Sequence, residues 1–308
     1  MRPARAFLLL LGGCLFPDLG GIVATADAGA DADAADESGG DAVSADAATL
    51  CDPSTPFGTP APVPGITLQG AENPRLSADE TEIFFQVYDD VGAADIVHAT
   101  RASALGGFGS PSWLTSVNST MDDWDPMLSA DGVTLVFASD RSGVDGVYRA
   151  TRPSVSADFG SPSEVAAVNV PFDVSKPYVQ GTNVALWYES QATGNGDIYV
   201  AASIGSDYGA GQLVTELDTV AEEGFPVVNA LATVIYFFRT VPDAGTNEDV
   251  WTARRANASL PFETPVPVTE LNSASDDTPG WLSPDLCRLY FTSTRTGSSL
   301  LYVATRTP

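Results

Sequence analysis

The chain of 308 residues carries 40 acidic and 14 basic residues, a formal net charge of −26, and 44% of its residues are hydrophobic. That apolar content can bury a substantial core, which excludes a wholly disordered protein. The negative charge argues against nucleic-acid binding, which needs Lys and Arg to displace phosphate counterions. Cations, basic proteins and neutral sugars remain open as partners.

The N-terminus predicts an export signal. Two arginines within the first five residues form a basic region, an apolar run follows, and Leu11-Gly12-Gly13-Cys14 matches the lipobox of bacterial lipoproteins. We expect residues 1–14 to be a lipoprotein signal in which Cys14 becomes the lipidated residue, so that the membrane of the cell envelope holds the protein on its periplasmic or surface face. The alternative is that Cys14 lies within a cleaved signal peptide.

Residues 15–50 differ sharply in composition from the rest. Ala, Asp and Gly dominate this segment, and it contains no Lys or Arg. Such a segment cannot bury enough apolar surface to offset the entropy lost on ordering. We therefore predict a disordered, self-repelling tether between the signal and a globular domain at 51–308.

Within the globular domain, one phrase of about 50 residues recurs five times. Each copy has a leading proline followed by an apolar strand, and the prolines are Pro74, Pro126, Pro177, Pro226 and Pro279. The second strand is the most uniform column: Ile83-Phe84-Phe85, Leu135-Val136-Phe137, Leu186-Trp187-Tyr188, Ile235-Tyr236-Phe237 and Leu289-Tyr290-Phe291. A third strand and an aromatic-led fourth strand follow. Four short antiparallel strands per copy indicate a β-propeller blade.

The last copy ends at Pro308, before its fourth strand could form. The matching phrase, Phe57-Gly58-Thr59-Pro60, lies upstream of the first copy. We therefore predict an all-β fold, a five-bladed β-propeller closed by an N-terminal strand that completes the last blade. This closure removes a free sheet edge, and we expect a monomer.

The two remaining cysteines lie where the ring should close. Cys51 precedes the displaced strand, and Cys287 lies in the hairpin of the blade that the strand must join. An exported protein with two such cysteines predicts a disulfide; a pair of free thiols is the alternative.

The second copy carries a family likeness. Leu128-Ser129-Ala130-Asp131-Gly132, then Ser139-Asp140-Arg141-Ser142-Gly143 and Tyr148-Arg149-Ala150-Thr151-Arg152, resembles the WD40-like propeller repeat of TolB-type periplasmic proteins. The likeness covers roughly residues 57–308 and implies a cell-envelope propeller. TolB itself has a further α/β domain before a six-bladed propeller, and nothing here corresponds to that domain, so the likeness does not imply a role in the Tol system.

Acidic residues recur just before the leading prolines. They are Glu72, Asp122, Asp123, Asp125, Asp173, Glu222, Glu223, Asp276 and Asp277. Because these positions link one blade to the next, we expect them to line one mouth of the central channel. Converging carboxylates can hold Ca²⁺ or grip a basic or polyhydroxyl ligand. The alternative is that they cap turns or pair with arginines such as Arg141 and Arg295.

From these positions we select the candidate ligand-binding residues. They are Asp122, Asp123, Asp173, Glu222, Glu223, Asp276 and Asp277, with Trp124 and Trp281 as the two tryptophans near the inner strands. No particular metal is indicated, and no cofactor is expected apart from Ca²⁺.

We expect a non-enzymatic scaffold that binds a protein or glycan partner in the cell envelope. No serine-hydrolase motif is present, and the one histidine, His98, occupies an ordinary strand position. The alternative is a glycoside hydrolase that uses two carboxylates near the channel, for which Asp123, Asp173 and Glu223 are the suspects. A catalytic pair should break the repeat, whereas these acidic residues recur with it.

Overall fold

A computed structural model describes residues 50–88, 92–169, 173–240 and 247–308. Every regular element in these ranges is a β-strand, and the strands form five antiparallel sheets. No helix long and apolar enough to cross a membrane occurs within these ranges. The signal at 1–14, lipidation at Cys14 and the tether up to residue 49 lie outside the described residues.

Each sheet is one blade, and its strands follow one another in chain order. Blade one contains β2 (Ala71–Leu76), β3 (Glu82–Tyr88), β4 (Ala94–Thr100) and β5 (Ser112–Trp113). Blade two contains β6 (Asp123–Leu128), β7 (Thr134–Ser139), β8 (Gly146–Thr151) and β9 (Ser163–Glu164). Blade four contains β15 (Glu223–Val228), β16 (Val234–Thr240), β17 (Glu248–Arg254) and β18 (Val266–Pro267).

Blade three departs from the four-stranded pattern. It contains β10 (Val174–Gln180), β11 (Ala185–Ser190), β12 (Asp197–Ile204), β13 (Asp207–Tyr208) and β14 (Gln212–Leu213). Its third strand is longer than those of the other blades, and its end folds back on β13 before β14 takes the usual outer position. This extra hairpin carries Tyr208 at the position that Phe108 and Phe159 hold in blades one and two.

Blade five confirms the predicted closure. It contains β19 (Asp277–Leu282), β20 (Arg288–Ser293), β21 (Leu300–Thr305) and, from the other end of the described chain, β1 (Ala61–Pro62). β1 pairs antiparallel with β21, and the amides of Gly58 and Val63 extend this pairing to the carbonyls of Thr305 and Leu301. The chain is therefore a five-bladed β-propeller closed by its N-terminal strand, as predicted.

The second strands form the core, which explains their uniform apolar composition. All fifteen residues of the predicted column are buried. Such a strand lies between two neighbouring sheets, so both of its faces need apolar side chains.

A column of arginines that follows the third strands holds the aromatic fourth-strand openings in place. The guanidinium carbons of Arg101, Arg152 and Arg255 lie 4.3, 4.7 and 4.2 Å from the ring centroids of Phe108, Phe159 and Phe262. Such cation–π contacts stabilise most when they are shielded from water.

The same contact closes the ring. Arg306 of blade five lies 3.7 Å from the ring centroid of Phe57, which precedes β1. Its guanidinium also donates to the carbonyls of Pro53 and Thr55, at 2.8 and 3.1 Å. Phe57 therefore belongs to the last blade in packing as well as in pairing.

The predicted disulfide is confirmed. Cys51 and Cys287 are bonded to each other across 236 residues of sequence, and both are buried. The amide of Cys51 also donates to the carbonyl of Asp285 at 2.9 Å. The bond fixes the closing segment to the hairpin of blade five.

One detail of the predicted alignment is wrong: Pro279 is out of register with the other leading prolines. In blade two, Pro126 follows a bulged residue, Asp125, whose φ is +52°. In blade five, Pro279 occupies that bulged position, and Gly280 takes the place of the proline. A proline ring fixes φ near −65°, so blade five cannot form the same left-handed bulge.

Candidate functional site

Three of the predicted ligand-binding carboxylates are buried beneath the mouth and do not line it. Asp123, Glu223 and Asp277 are fully buried, and each pairs with an arginine that lies at or just beyond the end of the second strand of its own blade. The partners are Arg141, Arg239 and Arg295, which also donate to the carbonyls of Val117, Leu217 and Leu271. A carboxylate held this way stabilises blade packing, which was the alternative interpretation, because a buried charge needs a partner.

The remaining four carboxylates lie closer to solvent. The carboxylates of Asp122 and Asp276 accept hydrogen bonds from the backbone amides of Ala94 and Glu248 in the preceding blade, at 3.0 and 3.2 Å. Asp173 and Glu222 are exposed. Asp122 and Asp276 therefore join neighbouring blades, whereas the exposed pair is open to solvent.

The two candidate tryptophans differ in burial. Trp281 is buried and packs edge-on against Tyr290, with ring centroids 5.8 Å apart. Trp281 therefore packs in the core, and this burial counts against its selection as a ligand-binding residue. Trp124 is half-buried on the inner strand of blade two.

A charged network that does not follow the repeat occupies the channel side of blades two and three. The Lys176 ammonium lies 2.7 Å from Glu189 Oε1, and the Lys176 backbone amide donates to Asp125 Oδ2 at 3.0 Å. Asp125 Oδ1 accepts a hydrogen bond from the side-chain amide of Asn73 in blade one. One lysine thus bridges two carboxylates from different blades.

Two glycines make room for Glu189. A Cβ on Gly224 would lie 1.8 Å from Glu189 Oε2, and one on Gly196 would lie 2.9 Å from its carboxyl carbon. In other blades the position of Gly224 is held by Glu72, Trp124, Ser175 or Thr278. Glu189 Oε2 is buried and has no hydrogen-bond partner among the described residues. This oxygen is therefore the free acceptor of the network.

A buried arginine of blade one reaches across the channel toward blade three. Arg75 of blade one is fully buried, and its guanidinium carbon lies 5.3 Å from the ring centroid of Tyr178 in blade three. Because blades one and three are not neighbours, this contact crosses the channel. None of its three side-chain nitrogens has a hydrogen-bond partner within the part of the chain that the structure describes.

These surroundings shift the pKa values of the channel groups. Burial raises the pKa of Asp125 to about 6, although Lys176 and Arg75 oppose the shift. Burial also raises the pKa of Glu189, again against Lys176. Burial alone would lower the pKa of Lys176, but the carboxylates of Glu189 and Asp125 outweigh it and raise that pKa.

A fourth group, Glu248, lies at the start of β17 beside the mouth. Burial raises its pKa to about 7, opposed by Lys176 and reinforced by the carboxylates of Asp276, Glu189 and Glu222. Glu248 therefore holds a proton more readily than an ordinary glutamate, and neutral pH lies close to its titration point. Groups with such perturbed pKa values concentrate at functional sites.

The raised pKa values predict how stability depends on pH. Because Asp125 and Glu248 titrate near pH 6 and 7 when folded but near pH 4 when unfolded, the folded state binds more protons between these values. The free energy of unfolding should therefore fall as the pH rises from 5 to 8, by on the order of 1–3 kcal/mol. Urea denaturation at the two pH values measures this, and Glu248→Gln should flatten the dependence. Equal or greater stability at pH 8 would contradict it.

Sequence reasoning noted Asp125 as one of the recurring acids but missed Lys176, Glu189 and Glu248. A signal for Glu189 was present in the sequence. The same column holds Gln86, Ala138, Phe238 and Thr292, so a lone glutamate at the end of an apolar strand broke the repeat.

One cluster of three carboxylates has the spacing of a cation site. Ligand atoms of Asp197, Asp218 and Glu223 all lie within 4.8 Å of one another, between blades three and four. Glu223 is already engaged by Arg239 at 2.7 Å and by the Thr219 hydroxyl at 2.5 Å. Arg239 offsets the charge of one of the three carboxylates, and binding of Ca²⁺ here stays a prediction.

Comparison with known proteins shows the fold. No protein-family profile matches the chain, and no curated protein matches its sequence. An endo-arabinase from Bacteroides thetaiotaomicron matches 80% of this chain and 97% of its own at 12% identity, with a TM-score of 0.61. An α-L-arabinofuranosidase from Podospora anserina, in complex with cellotriose, matches 82% of this chain and 98% of its own at 11% identity, with a TM-score of 0.54.

A TolB structure from Acinetobacter baumannii also matches, over 77% of this chain, at 15% identity and a TM-score of 0.48. This chain spans 55% of that TolB chain, about half its length. Many of the similar structures are glycoside hydrolases. The prediction of a non-enzymatic binding scaffold is therefore not kept, and its alternative, a carbohydrate-active enzyme, becomes the proposal. At identities this low, the likeness itself shows the shared fold alone.

Proposed function

We propose that this protein is a glycoside hydrolase that cleaves neutral glycans at the acidic mouth of its central channel. The observation that carries the proposal is that Lys176 lies 2.7 Å from Glu189, a glutamate that breaks the repeat, and also acts electrostatically on Glu248. The similarity of the fold to those of an endo-arabinase and an α-L-arabinofuranosidase supports the same class of reaction.

Glycoside hydrolysis needs one carboxylic acid that gives a proton to the leaving oxygen and one carboxylate that acts as base or nucleophile. Glu248, with a pKa near 7, is the candidate acid. Glu189 is the candidate base or nucleophile, because Lys176 favours its ionised form and its Oε2 has no hydrogen-bond partner among the described residues. Burial raises the pKa of both glutamates, and only Glu189 has a direct ammonium partner, Lys176 at 2.7 Å, whose hydrogen bond opposes that rise.

Asp125 has a supporting role in this mechanism. Both of its oxygens are engaged, Oδ1 by Asn73 and Oδ2 by the Lys176 amide, so neither is free to act on a substrate. It positions Lys176 between the two blades. Of the suspects named from the sequence, Asp123 and Glu223 are held by arginines, and exposed Asp173 contributes only negative charge.

The charge around the mouth favours neutral over anionic substrates. Glu72, Asp122, Asp173, Glu222 and Asp276 lie at this end of the blades and would repel a uronate-rich polymer. Linear arabinan and arabinoxylan are therefore the first substrates to test, with polygalacturonate as the anionic comparison.

The decisive measurement is product release from purified protein incubated with these three polymers and with aryl glycosides. We expect new reducing ends and short products from at least one neutral polymer and none from polygalacturonate. If no polymer or aryl glycoside is cleaved between pH 5 and 8, the proposed activity is wrong.

We also propose that the enzyme is an exported, monomeric lipoprotein of the bacterial cell envelope, anchored through Cys14, whose repeat belongs to the WD40-like class. The disulfide between Cys51 and Cys287 supports export, because such bonds persist in oxidising compartments. A tether between the anchor and the propeller would let the mouth reach insoluble glycans near the membrane.

A further inference from the structure

A cleft on the outer rim of the propeller lies apart from the mouth. It has a volume of about 580 Å³ and runs between the segment that follows β1 and the outer strand of blade one. Thr67 and Leu68 form one wall, and Ser110, Pro111 and Trp113 form the other. Trp113 lies on the outermost strand of blade one, and the other four residues lie in the segments that lead into or out of outermost strands, so the cleft is not part of the packing between blades.

Trp113 is the feature that distinguishes this rim. Its side chain is 48% exposed, and it lies on β5, a strand of only two residues. In the other blades the corresponding outer-strand position holds Glu164, Leu213, Pro267 or Pro62. An indole here is therefore not required by the repeat. A large aromatic face left open to solvent is typical of a binding surface.

The floor of the cleft is rigid. The Phe108 amide donates to the Pro64 carbonyl at 2.9 Å, which joins blade one to the closing segment of blade five. Gly65 has a φ of +88°, and a Cβ there would lie 2.1 Å from the Phe108 carbonyl oxygen. Since only glycine fits this crossing, the cleft is shaped before any ligand arrives, which lowers the entropic cost of binding.

The chemistry of the walls selects a neutral ligand. Among the residues that the structure describes, no charged one lines the cleft, although the chain as a whole carries a net charge of −26. The lining combines an exposed indole and apolar side chains with the hydroxyls of Thr67 and Ser110. A sugar ring has the complementary surface: apolar C–H faces that stack on an aromatic and hydroxyls around its edge.

We propose that this cleft is a second glycan-binding site, separate from the channel mouth, which holds a neutral polysaccharide chain against Trp113. The inference rests on the proposed function for its ligand class. It adds that retention on the polymer and cleavage of the polymer are performed by different surfaces of one domain.

Affinity electrophoresis of the full chain in native gels containing soluble arabinoxylan, arabinan or polygalacturonate tests this site. All variants carry Glu189→Gln so that cleavage does not remove the polymer. Trp113→Ala should raise the dissociation constant for a neutral polymer at least about 10-fold. The dissociation constant of Trp113→Tyr should stay within about 3-fold of the parent value. Val266→Ala, which changes an exposed apolar residue on the outer strand of blade four, is the matched control and should have no effect.

The outcomes separate this inference from the proposed activity. If retention depends on Trp113 and the wild-type protein cleaves none of the substrates, the cleft is supported and the hydrolase proposal is wrong. Cleavage by the wild type, with equal retention of the Trp113→Ala and parent proteins, would overturn the cleft alone. Retention on polygalacturonate as strong as on the neutral polymers, or no retention on any polymer, would also overturn it.

Discussion

Glu189→Gln is expected to lower turnover of the best neutral glycan by about 10²- to 10⁴-fold, the range for loss of a general base or nucleophile. The amide keeps the shape of the side chain and can still occupy the space left by Gly224 and Gly196. The amide carries no negative charge, so it cannot act as a base toward water or as a nucleophile toward the sugar. Initial rates on polymer and on an aryl glycoside should fall together.

Glu248→Gln gives the contrasting result if the division of labour is correct. Loss of the acid should slow cleavage of polymers, whose leaving groups need a proton, far more than cleavage of aryl glycosides with acidic phenol leaving groups. Glu263→Gln, an exposed glutamate on the outer rim of blade four, is the matched control and should leave both rates unchanged.

Two results would contradict this assignment. One is a Glu189→Gln protein that retains wild-type rates. The other is equal loss on both substrate types in Glu248→Gln. Because Glu189→Gln leaves the buried Lys176 without its ion-pair partner, folding must be checked by circular dichroism. Asp125→Asn, which keeps the Glu189 pair intact, offers a second test of the network and should lower rates less.

Loss of the disulfide should produce the largest change in stability. The bond between Cys51 and Cys287 closes a loop of 236 residues, and removing such a constraint from the unfolded chain is worth about 4–5 kcal/mol. For a domain of this size, that corresponds to a fall in melting temperature of roughly 10 °C or more. Calorimetry of Cys51→Ser/Cys287→Ser against the wild type measures it.

The reduced protein should remain a propeller. Arg306 still holds Phe57 at 3.7 Å, and β1 still pairs with β21, so closure loses its covalent bond but keeps its packing. Hydrogen exchange should therefore accelerate mainly in the closing segment. A reductant should lower the melting temperature of the wild type and leave that of the double variant unchanged. An unchanged wild-type melting temperature would show that the bond contributes no stability.

Much of the fold followed from local sequence, because propeller blades are built from contacts that recur. Ile83-Phe84-Phe85 and its four counterparts are apolar on both faces, and only a strand between two sheets needs that composition. Phe57 was recognisable as a displaced member of a column for the same reason. Pro279 was misaligned because the prolines served as the anchors of the alignment, although the second strand begins ten residues after Pro279 and nine residues after each of the other prolines.

The site was less predictable, since it depends on where side chains meet. Asp123 and Asp125 lie two residues apart on one strand and have identical chemistry in the sequence. The first is held by Arg141 within its own blade, and the second faces Lys176 of the next blade. Trp113 and Trp281 separate in the same way, one exposed on the rim and the other buried against Tyr290.

The repeat, the five blades, the N-terminal closure and the disulfide could all be predicted from the amino-acid sequence, because each depends on spacing along the chain. Which carboxylates pair within a blade and which converge on the channel became visible only in the folded ring. A carboxylate's role depends on its partners, and Asp125, Lys176 and Glu189 acquire theirs only when neighbouring blades pack against one another.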